Sequence, residues 1–164
     1  MPKSGQWFNG DLYAYLTHDG ATAILLNRIG TSGGNVWGFE DAGMNAWFQD
    51  GGNYGNIHTN GTGGALSGGH FTPDGRYADP SDTGAVNGAT PSRFLSSFNG
   101  QAAFGAWTLF VADVSGGTES TLNAWELEIQ GVPEPVNVAL IALSICFIGG
   151  HLIKRLKRKP AVTI

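Results

Sequence analysis

Hydrophobic and polar residues alternate in several short stretches of the chain. In residues 11–16 leucine and alanine alternate with tyrosine, and a polar Thr-His-Asp-Gly turn separates this stretch from an apolar one at residues 21–30. Alternation over a few residues predicts a half-buried β-strand, and Asp-Gly between two such stretches predicts a tight turn. A third strand is predicted over residues 45–49, within a stretch of irregularly spaced aromatics.

The clearest alternation of apolar and polar residues lies in residues 105–113. Residues 51–92 are rich in Gly, Asn, Thr, Ser, Pro and Asp, which predicts loops with isolated apolar packing points. Strands are then predicted over residues 105–113 and 121–130. Their candidate core residues are Trp107, Leu109, Val111, Leu122, Trp125, Leu127 and Ile129.

Composition supports an all-β body. The chain contains 26 glycines, 13% charged residues and 11% aromatics. Aromatic side chains supply core area, and glycines suit tight turns between short strands. No stretch before residue 136 repeats its apolar residues at a helical period, so we expect a β-sandwich.

The C-terminal segment has a different character. Residues 136–153 contain no Asp, Glu, Lys or Arg. As a helix they would span about 27 Å, close to the minimum for crossing a bilayer. A buried amphipathic helix is disfavoured because the segment lacks a polar stripe. The basic residues that follow predict that the body faces away from the cytoplasm. They are Lys154, Arg155, Lys157, Arg158 and Lys159.

The charges are segregated along the chain. Before Pro133 four basic residues face twelve acidic ones, a net charge of −8. An acidic body argues against nucleic acid as a partner, because phosphate binding needs clustered Lys and Arg. The single cysteine, Cys146, excludes an intrachain disulfide.

The order of parts at the C-terminus resembles the PEP-CTERM sorting signal of exported bacterial proteins. Pro133, Glu134 and Pro135 match its motif, and the apolar run and basic cluster follow in the same order. The resemblance implies recognition and cleavage near the motif by an exosortase, a membrane cysteine protease-transpeptidase. A stiff proline spacer before an ordinary anchor is the alternative. No secretion signal follows Met1, so we expect either insertion driven by the tail or a missing true start.

Three motifs in the body resemble the P domain, also called Homo B, of proprotein convertases and some bacterial subtilisin-like proteases. They are the strand opening Gly10-Asp11-Leu12, the run Gly105-x-Trp107-x-Leu109-x-Val111-x-Asp113, and Thr121-Leu122-x-x-Trp125-x-Leu127. The resemblance implies a jelly-roll β-sandwich. Only nine residues of this chain precede Gly10, where the first motif opens, fewer than the family's opening strands need, so a truncated or misplaced start is expected.

The expected organisation has four parts. Residues 1–130 form the P-domain-like sandwich, 131–135 the Pro-Glu-Pro linker, 136–153 a single transmembrane helix and 154–164 a basic cytoplasmic tail. In the convertase family the P domain stabilises its catalytic neighbour and does no chemistry. No catalytic triad is evident here: Ser32 lies in a Gly-rich turn and no histidine lies in a protease-like setting.

Calcium is the favoured candidate cofactor. An acidic, cysteine-free exported sandwich gains stability from ions that bind only its folded state. Asp11, Asp50 and Asp113 are candidate ligands because they lie beside predicted turns or strand ends. No EF-hand loop is present, and His58 and His70 are too isolated in sequence to predict a zinc site.

These observations predict a non-catalytic exported bacterial protein of the cell envelope or extracellular layer. It starts in the inner membrane with its body outside the cytoplasm and reaches the surface after processing. One alternative is the C-terminal part of a subtilisin-like serine endopeptidase, with a protease domain as partner. A second is a carbohydrate-binding module for extracellular polysaccharide. The second requires exposed tryptophans lined up on one face. The candidates are Trp37, Trp47, Trp107 and Trp125, of which Trp107 and Trp125 are expected in the core.

Overall fold

The computed structural model describes residues 8–61, 66–116, 119–131, 143–146 and 148. The chain divides into two compact units, Met1–Glu126 and Leu127–Ile164. The first is β-rich, as the alternation predicts. Its strands are β1 (Leu12–His18), β2 (Ala21–Asn27), β3 (Asn45–Phe48), β4 (Ser67–Phe71) and β5 (Thr108–Asp113).

Three strands form an antiparallel sheet in the order β2-β1-β5. Asp19 and Gly20 both have positive φ angles, 44° and 80°, and close the β1–β2 hairpin in two residues. This is the backbone of a type I′ turn, whose twist matches that of the strands it joins. The predicted Asp-Gly turn is therefore confirmed.

The second sheet is a parallel pair, β3 and β4. Parallel neighbours require a crossover connection, and this one contains a single-turn helix, α1 (Ile57–Asn60). A second short helix, α2 (Thr83–Gly88), and 3-10 turns at Asn9–Asp11 and Leu95–Phe98 complete the described elements. The loop-rich stretch of residues 51–92 thus contains one strand and two helical turns that alternation did not predict.

The core lies where the two sheets meet. The alternating residues of β1 send Ala14 and Leu16 inward, and β2 adds Leu26. Phe71 of β4 and Ile57 of α1 join Ala14 and Leu26 in one apolar cluster, which connects both sheets. Burial of large apolar side chains is the main stabilising contribution of such a cluster.

Two of the predicted core positions on β5 are partly exposed. Leu109 and Val111 pair with Leu16 and Ala14, on the core-facing side of the sheet, as predicted. Val111 is nevertheless 37% exposed, because β5 is the outer strand of its sheet among the described residues. Leu12 and Trp107 are half-buried.

The prediction of a strand over residues 121–130 is wrong. No strand is found within described residues 119–131. Leu122 is 53% exposed and Trp125 is 48% exposed, while Leu127 is half-buried. The physical reason is that no described strand pairs with this segment, and a strand forms only with a hydrogen-bonded partner.

Much of the C-terminal segment lies outside the described residues. Within it, residues 143–146 and residue 148 are helical. Among the residues the structure describes, no helix is long and apolar enough to cross a membrane. The predicted span over residues 136–153 falls largely outside them, and the sorting motif and the basic cluster of residues 154–159 do so entirely.

Candidate functional site

Three exposed aromatic rings form a row on the β3–β4 sheet. We call Trp47, His70 and Tyr54 the aromatic row. Trp47 is 52% exposed and Tyr54 is 40% exposed, and His70 is also exposed. Trp47 and Tyr54 each stack on His70, and the row lies on the face of the sheet opposite the core.

Strand register assembles the row from three separate segments. Trp47 of β3 is the direct neighbour of His70 on β4. Asn56 bridges Thr72 in parallel fashion on the other side of β4, which places Tyr54 beside His70. Since side chains alternate between the two faces of a sheet, the next residues along β3 and β4, Phe48 and Phe71, point toward the core.

The rings are nearly parallel and only partly overlap. Trp47 and His70 have ring centroids 5.9 Å apart at an interplanar angle of 16°. Tyr54 and His70 are 5.2 Å apart at 23°. Such separations exceed face-to-face contact and correspond to offset stacking. His70 therefore lies between the other two rings and stacks on both.

The surroundings of the row carry little charge. Residues 42–73 contain one Asp, Glu, Lys or Arg, which is Asp50. One Asp50 carboxylate oxygen accepts a hydrogen bond from the Ser96 backbone N–H. Asn45 and Gln49 lie two positions before and after Trp47, and both are exposed. The row is thus a neutral aromatic surface flanked by amides.

A buried polar cluster lies behind the core. It consists of His58, Asp74, Arg76, Asn27 and Thr31. The Asn56 side chain caps α1 by accepting from the His58 backbone N–H, which positions His58 on the first turn. His58 Nδ1 lies 2.8 Å from Asp74 Oδ2, and Arg76 Nη1 lies 3.0 Å from Asp74 Oδ1. Asp74 is completely buried.

Both ring nitrogens of His58 face oxygen acceptors. Nε2 lies 3.0 Å from the Thr31 carbonyl oxygen, and Nδ1 contacts the carboxylate. The Asp74 carboxylate and the Thr31 carbonyl therefore occupy both hydrogen-bonding positions of the ring. Catalytic His-Asp pairs keep the second nitrogen available for a nucleophile, but here a backbone carbonyl occupies it. The geometry is that of a buried hydrogen-bonded cluster.

Ser32, the serine in the Gly-rich turn, takes part in that turn. Its backbone N–H donates to the Asn35 carbonyl, and its Oγ accepts from the Asn35 backbone N–H at 3.1 Å. The side chain is exposed at a bridge between the two residues. The prediction that Ser32 is a turn residue is confirmed.

The structure brings together two of the three candidate calcium ligands. Leu12 pairs with Asp113, so Asp11 and Asp113 lie close to each other at the β1–β5 edge. Arg28 already lies beside Asp11, with Nη2 3.6 Å from Oδ1, and its Nε donates to the Gly10 carbonyl. Burial raises the pKa of Asp11, Arg28 lowers it, and the Asp113 charge raises it again.

Asp50 does not join this pair through any contact in the structure, since its carboxylate binds the Ser96 backbone N–H instead. Among the described residues no group of three His, Cys, Asp or Glu side chains is arranged to hold a metal. Strand register brings Asp11 and Asp113 together, and a calcium site at Asp11, Asp50 and Asp113 stays a prediction.

A second histidine, His18, connects the end of β1 to the segment before β5 by hydrogen bonds. His18 Nδ1 lies 3.0 Å from the Ala106 carbonyl oxygen and Nε2 lies 2.7 Å from that of Ala102. Its ring stacks on Trp107, with centroids 3.9 Å apart and planes within 3°. Hydrogen bonds to the two carbonyls raise the pKa of His18, because they stabilise its charged form.

Sequence reasoning did not predict the buried polar cluster or the full aromatic row. The row had a local signal: Trp47-Phe48 and His70-Phe71 are matching dipeptides, each placing an exposed ring before a core phenylalanine. The cluster had none, because His58 and Asp74 lie sixteen positions apart in a loop-rich stretch.

Comparisons with known proteins found no matching family model, no matching curated protein and no matching solved structure. The functional interpretation consequently rests on the residues of this chain and on their arrangement.

Proposed function

We propose that this chain is a non-catalytic module of the bacterial cell envelope or extracellular layer, delivered by its C-terminal tail. The observation that carries the proposal is the order Pro133-Glu134-Pro135, eighteen residues without charge, and five basic residues among six. Each part has its own physical role in membrane insertion and cleavage.

The prolines favour an extended backbone, which a protease can bind. The uncharged residues 136–153 are long enough to enter the bilayer as a helix. The basic residues hold the end of the chain on the cytoplasmic side, which directs the acidic body outward. In this proposal an exosortase then cleaves near the motif and releases the body.

The arrangement of the body supports a binding or structural role. The buried His58–Asp74 pair is closed by the Thr31 carbonyl, and Ser32 is bonded within its own turn. A β-rich module of this kind agrees with the P-domain resemblance, whose jelly-roll topology is part of the proposal. The same resemblance also fits the C-terminal part of a serine endopeptidase, which would need Asp, His and Ser protease motifs encoded upstream of Met1.

The proposal is tested by localising an epitope-tagged chain in a bacterium that has an exosortase. We expect the wild-type chain to be shortened and released from the inner membrane. A variant with Pro133, Glu134 and Pro135 all changed to alanine should stay full length in the inner membrane. If the wild-type chain and the variant both stay full length in the inner membrane, the tail is only a permanent anchor. If both stay soluble in the cytoplasm, export of the chain is refuted.

A further inference from the structure

Four Asn-Gly pairs occur in the chain, and the structure describes all of them. They begin at Asn9, Asn60, Asn87 and Asn99. We infer that Asn99-Gly100 is the site at which the folded chain spontaneously deamidates to aspartate and isoaspartate, while the fold protects the other three pairs. The reaction needs only water, so the inference is independent of the proposed function.

The reaction uses two neighbouring groups of the chain. The Gly100 backbone nitrogen attacks Cγ of the Asn99 side-chain amide and loses its proton to water, and ammonia leaves as a succinimide ring closes. Water then opens the ring at one of its two carbonyls. Opening at Cγ gives aspartate. Opening at the former backbone carbonyl gives isoaspartate, in which the main chain runs through the side chain. Glycine favours ring closure because it has no Cβ to hinder its nitrogen.

The turn at Asn99 leaves both reacting groups accessible. Asn99 has φ −60° and ψ 131°, Gly100 has φ 82°, and the Gln101 N–H donates to the Phe98 carbonyl at 3.1 Å, as in a type II β-turn. Asn99 and Gly100 are both exposed. The Gly100 N–H donates to no group among the described residues, and a Cβ added at Gly100 meets nothing within 4 Å. Ring closure requires rotation of the Asn99 ψ angle, and the turn hydrogen bond is the contact that this rotation must break.

The pair at Asn9 lies in the same tripeptide, Phe-Asn-Gly, but in a protected environment. Asn9 is 3% exposed, and its Nδ2 donates to the Gly43 carbonyl at 2.9 Å. The Gly10 N–H, whose nitrogen would have to attack, donates to the Phe39 carbonyl at 3.0 Å. Because the tripeptide is identical to that at Asn99, a difference in rate between the two sites measures the effect of the fold.

The other two asparagines lie in the short helices. The Gly61 N–H, directly after Asn60, donates to the Ile57 carbonyl at 3.2 Å at the end of α1. Asn87 lies in α2, and its Oδ1 accepts from Thr31 Oγ1 at 2.9 Å. Helical ψ angles keep the next backbone nitrogen away from Cγ, so the reaction at either site requires the helix end to open first.

Isoaspartate at residue 99 should disturb the contact that holds the following segment. It adds a methylene to the main chain inside the turn, shortly before Ala102. The Ala102 carbonyl oxygen lies 2.7 Å from His18 Nε2, a contact that joins this segment to β1. We therefore expect isoaspartate to loosen residues 98–107, and aspartate to leave them in place.

The experiment incubates the purified full-length chain in detergent micelles at mildly alkaline pH and follows all four pairs by peptide mass spectrometry. Electron-transfer fragmentation distinguishes isoaspartate from aspartate. We expect Asn99 to deamidate roughly tenfold or more faster than Asn9, because Asn9 reacts only from a locally opened state. In the chain unfolded in urea, Asn9 and Asn99 should react at similar rates, since only the tripeptide then matters.

Asn99→Asp is the matched control for the consequence, because it adds the negative charge and keeps the normal main chain. In hydrogen-exchange mass spectrometry, the chain that contains isoaspartate should exchange faster over residues 98–107 than either Asn99→Asp or the fresh chain. Deamidation of Asn9, Asn60 or Asn87 as fast as that of Asn99 in the folded chain would overturn the inference. Exchange equal to that of Asn99→Asp would overturn the predicted loosening.

Discussion

His58 and Asp74 show how a single buried contact can determine the conformation of a loop-rich stretch. The Asp74 carboxylate collects hydrogen bonds from His58, Arg76 and the Asn27 backbone N–H. The Asn27 side chain in turn donates to the Arg76 and Ala78 carbonyls. The cluster thereby ties the end of β2 to α1 and to residues 74–78, which have few apolar residues of their own.

Replacing the central carboxylate should be costly. Asp74→Asn removes the buried carboxylate that contacts His58 and pairs with Arg76, and removing one partner of a buried ion pair typically costs about 3–5 kcal/mol. Urea unfolding followed by circular dichroism measures this loss. Glu40→Gln is the matched control at an exposed acid, expected within about 0.5 kcal/mol of wild type. A loss below about 1 kcal/mol for Asp74→Asn would show that the cluster does not stabilise the fold.

His18 makes stability depend on pH. Its pKa is raised in the folded chain, first by the Ala106 carbonyl and then by that of Ala102, with a smaller contribution from Asp19. The charged ring also stacks on Trp107. A raised pKa means that this stabilisation is complete below about pH 6.5, the ordinary histidine value, and is lost as pH rises through the folded value.

Unfolding midpoints in urea at about pH 5.5 and about pH 8.5 test this contribution. The wild-type chain should be more stable than His18→Phe by a larger margin at the lower pH, because phenylalanine keeps the stacking but loses both hydrogen bonds. His70→Phe, at an exposed histidine, is the control. An identical pH dependence in wild type and His18→Phe would contradict the account.

At the scale of elements, alternation predicted the strands that have regular patterns. The predicted strands over residues 11–16, 21–30, 45–49 and 105–113 each overlap a described strand, and β1 continues past residue 16 to His18. β4 was missed because Gly68 and Gly69 interrupt its alternation, and glycine is depleted in strands. The helices α1 and α2 are too short to show a helical period and depend on their caps, Asn56 and Asp82.

The segment over residues 121–130 shows the limit of pattern reasoning. Its alternation is as clear as that of β5, yet no strand is found within described residues 119–131. Alternation indicates that a segment can be a strand, but the partner that makes it one comes from the rest of the fold.

The chain entering β1 depends on a close backbone contact. A Cβ at Gly10 would lie 2.8 Å from the Gly38 Cα and 2.8 Å from the Phe39 N. The Gly10 N–H also donates to the Phe39 carbonyl at 3.0 Å. Gly10→Ala must therefore push the two segments apart, and we expect a loss of about 1–3 kcal/mol.

Thermal unfolding compares Gly10→Ala with Gly33→Ala, where an added Cβ meets nothing within 4 Å. The Gly33 variant should stay within about 0.5 kcal/mol of wild type. Equal midpoints for the two variants would contradict the assigned contact.

In the molecule as a whole, the features that can be identified from sequence are those whose residues are continuous along the chain. The tail motif, its apolar run and its basic cluster can be read directly from residues 133–159. Sites built from separate segments could not be read in this way. The aromatic row needs the parallel register of β3 and β4, and the Asp11–Asp113 pair needs the register of β1 and β5.

We propose that the tail delivers the body and is then removed. The most direct measurement is the intact mass of the chain recovered from the surface and medium of an exosortase-containing bacterium. The account predicts a shortened species that ends near Pro133-Glu134-Pro135 and lacks residues 136–164. A mass equal to that of all 164 residues, found only in the inner membrane, would contradict it.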